Sequence, residues 1–139
     1  MMRKTARNIG AEGEDIAGKY LEKRGWRLIA RNYSAGGGEI DIIGFRFGTL
    51  AYFEVKTRSN DKFGRPADAV DRAKISRIKK AVFAFRTANM SGGKVPVFYP
   101  CGITLNRRVS RQTIDIIEVY LDRFGGTEKI NHIKEAESL

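Results

Sequence analysis

Alternating apolar and polar positions predict most of the secondary structure of this chain. Residues 10–24 are predicted to form an amphipathic helix that ends at Gly25 and whose apolar stripe comprises Ile16, Ala17, Tyr20 and Leu21. Residues 26–32 largely alternate between apolar and polar side chains, which favours a short strand. The chain therefore opens with a helix followed by a strand.

The clearest pattern in the sequence is a β-hairpin. Residues 39–46 and 50–57 are rich in β-branched and aromatic side chains, and they flank the dipeptide Phe47-Gly48. A glycine in such a short connection is typical of a two-residue turn between antiparallel strands. We therefore expect the two strands to pair directly with each other.

A long amphipathic helix is predicted from Pro66 to Thr87. Proline suits the first helical turn, and Asp68 and Asp71 suit the positive end of the helix dipole. The residues expected to be buried fall on one stripe, which comprises Val70, Ala73, Ile78, Ala81, Val82 and Phe85.

Two further strands are expected, at Val95 to Leu105 and at Gln112 to Tyr120, joined by residues 106–108. A short helix or strand should follow Gly126. This order of elements predicts an α/β fold with an α-β-β-β-α-β core, in which helices flank a mixed sheet.

Length and composition favour one domain. A chain of 139 residues that is 42% apolar can bury a core of its own, so residues 1–139 are expected to form a single domain with a core at about 8–120 and an extension at 121–139. Cys101 and His132 are the only cysteine and histidine, which excludes an intramolecular disulfide and a four-ligand zinc site. We expect a cytoplasmic protein without a membrane span.

Positive charge is concentrated in one part of the chain. The formal net charge is +10, and residues 62–111 hold twelve of the 26 basic residues but two of the 16 acids. A solubilising surface is the simpler explanation, but concentration in one block favours contact with nucleic acid. The residues predicted to bind it are Arg58, Lys74, Arg77, Lys79, Lys80, Arg107, Arg108 and Arg111.

The hairpin also carries an unusual set of acids. Side chains alternate between the two faces of a strand, so Asp41 is expected on a polar face and Ile40 and Ile42 together on the opposite, apolar face. With a two-residue turn, pairing places Asp41 opposite Glu54. Directly opposed like charges destabilise a sheet, so this arrangement requires compensation.

A divalent cation would supply that compensation. Asp41, Glu54 and the Val55 carbonyl offer hard oxygen ligands suited to Mg²⁺ or Mn²⁺, and Lys56 would then orient water or stabilise charge on a phosphate. The alternative is an exposed polar face on which Glu39 and Lys56 form a simple ion pair. A turn one residue longer would separate the acids to opposite faces.

These motifs resemble a known nuclease core. The segment Gly38-Glu-Ile-Asp-Ile-Ile43, followed by Phe53-Glu-Val-Lys-Thr-Arg58, is similar to the core of the restriction-endonuclease-like PD-(D/E)XK superfamily, which includes Holliday junction resolvases. It resembles more closely the YraN family of uncharacterised bacterial proteins. The resemblance covers about residues 8–85 and includes Gly13-Glu14 in the first helix.

The resemblance implies specific roles. It makes Asp41 and Glu54 metal ligands, Lys56 the catalytic lysine and Glu14 a further acidic contributor. The segment Thr113-Ile114-Asp115 stands where relatives tend to carry Arg-Phe-Asp, so the resemblance is weaker there.

Three functions are compatible with these features. The leading hypothesis is Mg²⁺- or Mn²⁺-dependent hydrolysis of DNA phosphodiester bonds, with branched or damaged DNA as substrate and DNA favoured over RNA. A resolvase-like activity would further imply a homodimer, because two cuts need two sites. The alternatives are a non-catalytic nucleic-acid-binding protein that retains the nuclease fold and an assembly factor that binds an acidic protein partner.

Overall fold

The computed structural model describes residues 6–59 and 71–139 of the chain. Two helices and seven strands follow one another in these residues: α1 (Ala6–Lys23), β1 (Arg27–Ala35), β2 (Gly38–Arg46), β3 (Thr49–Ser59), α2 (Arg72–Asn89), β4 (Lys94–Phe98), β5 (Thr104–Arg108), β6 (Arg111–Leu121) and β7 (Thr127–Ser138). Neither described helix is both long enough and apolar enough to cross a membrane.

The central sheet is mixed, as predicted. Its five strands lie in the order β1-β2-β3-β6-β7, with β3 and β6 parallel and the other neighbours antiparallel. The segment expected as an extension supplies β7, which forms one edge of this sheet. The architecture confirms the predicted α/β fold and is consistent with a restriction-endonuclease-like core.

The two helices cover opposite faces of the sheet. On one face Leu21 of α1 packs in a cluster with Ile42 and Phe53, and on the other face Phe85 of α2 packs in a cluster with Tyr52. Each helix thereby buries its apolar stripe against the shared hairpin β2–β3.

The start of α2 differs from the prediction. Asp71 is the N-cap, and its carboxylate accepts a hydrogen bond from Ala73 N–H over 3.0 Å. Ala73 is exposed and Ile75 is buried in its place, because the helical stripe runs through Ile75 and Ile78. The predicted first turn, including Pro66, lies outside the described residues, as do Asp68 and Val70.

The strand predicted at 95–105 is two strands. β4 and β5 form an antiparallel hairpin whose turn is closed by the Gly102 N–H donating to the Tyr99 carbonyl over 2.9 Å. Gly102, in the turn between β4 and β5, has a φ of 88°, which glycine adopts without strain. Residues 106–108 therefore belong to β5 and are not a connecting loop.

Close packing between β2 and α2 depends on Gly38. A Cβ at this position would collide with the carbonyl oxygen of Arg77 in α2, so we expect Gly38→Ala to lower the free energy of unfolding by about 1–3 kcal/mol. Urea denaturation measures this change. Gly10→Ala is the control, because a Cβ at this position of α1 meets nothing within 4 Å and should leave stability unchanged or raise it by up to about 1 kcal/mol. Equal stability of the two variants would contradict the packing argument.

Candidate active site

The hairpin register confirms the predicted two-residue turn. Arg46 pairs with Thr49 across Phe47-Gly48, and pairing continues to Ile42 opposite Phe53. Asp41 and Glu54 are the next residues along the two strands, so the turn brings these carboxylates to the same end of the hairpin.

Asp41 interrupts the regular strand, however. Its Oδ2 accepts a hydrogen bond from Val55 N–H over 2.8 Å, where a β2 carbonyl would otherwise accept. Ile40 packs on the α2 side and Ile42 on the α1 side, so the prediction that they share a face is wrong. The neighbouring strand β1 is also irregular at this point, because Asn32, which lies opposite Asp41, has a φ of 51°. The irregularity directs the Asp41 carboxylate towards β3.

Glu54 is buried and already contacts a cation. Its side chain is 5% exposed, and Glu54 Oε1 lies 2.5 Å from the Lys74 ammonium of α2. Burial raises the pKa of Asp41 from 3.8 to about 6, and the negative charge of Glu54 is the next cause. The two carboxylates therefore repel each other, as the strand pairing predicted.

Glu14 of α1 joins these residues across a cleft of about 360 Å³. Its lining includes Glu14, Asp41, Val55 and Lys74, and we call it the acidic cleft. Partial burial raises the pKa of Glu14, and the charge of Asp41 adds to the effect. The structure thus brings together the four predicted positions Glu14, Asp41, Glu54 and Val55, together with a lysine that was predicted to bind nucleic acid instead.

Lys56 lies on β3 two residues beyond Glu54, and the two side chains line one small cavity with Lys74. Burial lowers the pKa of the Lys56 ammonium, and the positive charges of Arg58 and Lys74 lower it further, while Glu54 opposes the shift. An ammonium that is poorly solvated is well suited to donate to a phosphate oxygen.

The donor set can be tested for a divalent ion. Among the described residues, no group of three His, Cys, Asp or Glu side chains could hold a metal ion. Asp41 and Glu54 therefore need the Val55 carbonyl and water as further ligands, a set made only of hard oxygen donors. Lys74 occupies the cation position beside Glu54 and would have to move away. The residues fit Mg²⁺ or Mn²⁺ on these terms.

The raised pKa of Asp41 predicts a specific pH dependence. Asp41 ionises near pH 4 in the unfolded chain and at about pH 6 in the folded protein, so the folded state binds more protons between these values. The Asp41 contribution to stability therefore falls as the pH rises through this window. We expect the stability of Asp41→Asn relative to the unsubstituted protein to rise between pH 4 and 6. Urea denaturation in EDTA measures this difference, and a constant difference would contradict the assigned pKa.

The predicted basic residues do not form one surface around the acids. Four of them contact carboxylates: Lys74 with Glu54, Arg58 with Glu118, Lys79 with Glu137 and Arg111 with Glu135. On α2, Arg77 and Lys80 are exposed.

The remaining arginines lie on β5. Arg107 and Arg108 are exposed there, close to the Phe47-Gly48 turn of the β2–β3 hairpin, where Ser110 N–H donates to the Gly48 carbonyl. That turn is about 17 Å from Asp41 at ~3.3 Å per residue. The continuous block in the sequence is therefore divided between two ends of the sheet.

Sequence reasoning missed three buried polar residues. Asp115 contacts His132 over 2.7 Å, and Glu118 accepts a hydrogen bond from Asn131 over 2.9 Å. Asp115 and Glu118 could have been noticed as two acids within the apolar run of β6. His132 could not, because its approach to Asp115 depends on the pairing of β6 with β7, which places His132 opposite Ile117, two residues from Asp115.

Comparison with known proteins gives one family. The sequence profile of the uncharacterised protein family UPF0102 matches residues 13–119. A UPF0102 protein from Caldanaerobacter subterraneus is 33% identical over 137 residues, which cover 98% of this chain and 99% of the relative. One from Syntrophomonas wolfei is 31% identical over 130 residues, or 94% and 97% of the two chains. One from Dictyoglomus thermophilum is 50% identical over 74 residues, or 53% and 63%.

Proposed function

The chain belongs to the uncharacterised protein family UPF0102, which is the YraN family that its sequence motifs resemble, and we propose from its acidic cleft that it is a nuclease that hydrolyses DNA phosphodiester bonds with Mg²⁺ or Mn²⁺. One observation carries the proposal: two interacting carboxylates, Asp41 and Glu54, lie at the same end of a hairpin beside Lys56 and Lys74. A structural role alone gives no reason to place repelling acids there.

The protein groups divide the work between holding the ion and handling the substrate. Asp41, Glu54 and the Val55 carbonyl would hold the metal, which when bound activates water and neutralises phosphate charge. Lys74 would leave Glu54 and contact a phosphate of the DNA. Glu14 lines the same cleft and would accept a hydrogen bond from a water molecule beside Asp41.

Lys56 acts on the reacting phosphate in this proposal. Its ammonium donates a hydrogen bond to the phosphate oxygen on which negative charge develops as the bond to the leaving group breaks. The lowered pKa reflects poor solvation, which makes this interaction stronger than it would be in water.

Apart from Lys74, DNA contact is assigned to the exposed arginines and lysines that are not paired with acids. We expect Arg77→Ala to flatten the slope of log affinity against log salt by about one unit, because each phosphate contact contributes ~0.9 to it. Fluorescence anisotropy at several salt concentrations measures the slope. Lys79→Ala is the matched control on α2, since Lys79 is paired with Glu137 and should change the slope less. Equal effects would show that the paired lysine also contacts DNA.

A non-catalytic nucleic-acid-binding protein is the second candidate. The Lys74–Glu54 contact favours it, because a lysine can neutralise the buried acid without metal. Branched, nicked, duplex and single-stranded DNA should be incubated with the protein in Mg²⁺, Mn²⁺ or EDTA. Metal-dependent cleavage supports the nuclease, whereas retention without cleavage supports the binder. Indifference to all four DNAs would favour an assembly factor with an acidic protein partner.

The DNA that the protein cleaves among these four also bears on its oligomeric state. Resolution of a branched junction requires two cuts, so cleavage of that substrate would call for a homodimer. Light scattering of the protein with and without branched DNA tests this link.

A further inference from the structure

A second cavity lies on the α1 side of the sheet, beyond the carboxyl end of α1. Its volume is about 310 Å³, and its lining includes Arg46, Arg111, His132 and Lys134. We call it the His132 pocket. Trp26 also lines it, whereas Gly10 lines the acidic cleft. Because α1 runs from one to the other, the two openings are roughly 20 Å apart at ~1.5 Å per helical residue.

A buried pair of side chains forms one wall of the His132 pocket. His132 Nε2 lies 2.7 Å from Asp115 Oδ2, with the two side chains 8% and 4% exposed. The other oxygen, Asp115 Oδ1, accepts a hydrogen bond from Glu135 N–H over 3.0 Å. Phe53 lies against the histidine, with ring centroids 5.8 Å apart. Both Asp115 oxygens therefore have hydrogen-bond partners, which hold this side chain in place. The same partners offset the negative charge of the Asp115 carboxylate.

Three cationic side chains also line the pocket. Arg46, Arg111 and Lys134 line the pocket, and Glu135, which also lines it, is paired with Arg111. Arg46 is held by stacking, since its guanidinium carbon lies 4.9 Å from the centroid of the Trp26 ring. Cations therefore outnumber the carboxylates, and the hydroxyl-bearing residues Thr49 and Thr113 complete the lining. Such a lining suits a compact dianion.

An aromatic ring extends this site towards solvent. Phe47, in the hairpin turn, is 92% exposed and lines the pocket. The guanidinium carbon of Arg46 lies 5.9 Å from its ring centroid. Exposed rings beside arginines are surfaces on which nucleic-acid bases stack.

We propose that the His132 pocket binds a nucleotide through its terminal phosphate monoester, with the phosphate at Arg111 and Lys134 and the base on Phe47. The volume is in the range of small-molecule sites. The ligand is either a free mononucleotide or the phosphorylated end of a strand, which share this chemistry. The pocket needs neither metal nor the acidic cleft, so the proposal stands independently of nuclease activity.

The experiment uses the whole protein in EDTA. His132 is the only histidine, so its ring signals in NMR spectra report on the pocket without ambiguity. Inorganic phosphate, a nucleoside 5′-monophosphate, and a short oligonucleotide with and without a 5′-phosphate are titrated separately. We expect the monophosphate to shift the His132 signals and to bind more tightly than inorganic phosphate. The phosphorylated oligonucleotide shifts the signals as well if strand ends are the source, and only the monophosphate does so if free nucleotides are.

Variants separate binding from folding. Arg111→Ala should weaken binding about tenfold or more, since it removes a charge-assisted contact. Glu135→Gln should tighten binding about threefold, because Arg111 loses a competing acid, and loss of folding could not produce a gain. Arg123→Ala is the control, because Arg123 is exposed in the turn between β6 and β7, away from the pocket lining, and its replacement should change affinity by less than about twofold. The proposal is overturned if no ligand shifts the His132 signals, or if Arg123→Ala abolishes binding while Arg111→Ala does not.

Discussion

Asp41→Asn and Glu54→Gln should each reduce DNA cleavage by more than about a hundredfold, the largest loss expected from single substitutions in this protein. Each change removes one of the two carboxylates that would hold the divalent ion, and a bound ion contributes several kcal/mol to stabilising the transition state. Single-turnover cleavage at saturating Mn²⁺ gives the rate. Folding should be unchanged or slightly more stable in EDTA, because one of two repelling charges is gone.

The control for this pair is Glu39→Gln. Glu39 is an exposed acid on the same strand as Asp41, and its charge is the smallest named influence on the pKa of Asp41. Its cleavage rate should stay within about threefold of the unsubstituted protein. If Asp41→Asn and Glu54→Gln unfolded readily while the protein bound no divalent ion in calorimetry, the acids would have a structural role and the metal site would be wrong.

Lys56→Met should lower the single-turnover rate by about a hundredfold or more and change DNA affinity by less than about threefold. A lysine that acts on charge developing in the transition state affects the rate, whereas one that holds backbone phosphate affects binding. Methionine retains the aliphatic part of the side chain, so the lining of the small cavity that Lys56 shares with Ile75 and Ile78 of α2 should be preserved. Rates are measured with enzyme in excess, and affinities by anisotropy in Ca²⁺.

Lys19→Met is the matched control for Lys56→Met. Lys19 is an exposed lysine of α1, so both the rate and the affinity should be unchanged. Weak binding with a normal single-turnover rate in Lys56→Met would place Lys56 on the DNA-binding surface and remove it from the reaction.

Local sequence patterns were sufficient to predict the hairpin β2–β3 in the central sheet. Phe47-Gly48 between two β-rich runs gave the turn and the register, and the register placed Asp41 and Glu54 at one end of the hairpin. A strand period of two cannot reveal that Asp41 turns its carboxylate towards the Val55 N–H. This break accompanies a positive φ at Asn32 on the neighbouring strand, which the alternation of side chains does not indicate. Such a break is decided by contacts between strands.

Long-range contacts were also beyond prediction. Lys74 belongs by sequence to the basic block, yet its side chain reaches Glu54 because the start of α2 lies beside this part of β3. Asp115 and His132 are 17 residues apart in the sequence, and the pairing of β6 with β7 brings them together. Charge clustering in the sequence therefore predicted a basic surface more continuous than the one that these side chains form in the fold.

The metal dependence of cleavage is the most direct test of the nuclease site. Mn²⁺ should be titrated into one preparation of the unsubstituted protein, with binding followed by calorimetry and DNA cleavage assayed at the same ion concentrations. Binding and activity should saturate with the same midpoint, and both should be lost in Glu54→Gln. Cleavage that persists in Glu54→Gln, or a protein that binds no Mn²⁺ and cuts no DNA at any concentration, would contradict the assignment of Asp41 and Glu54 as the metal ligands of a nuclease.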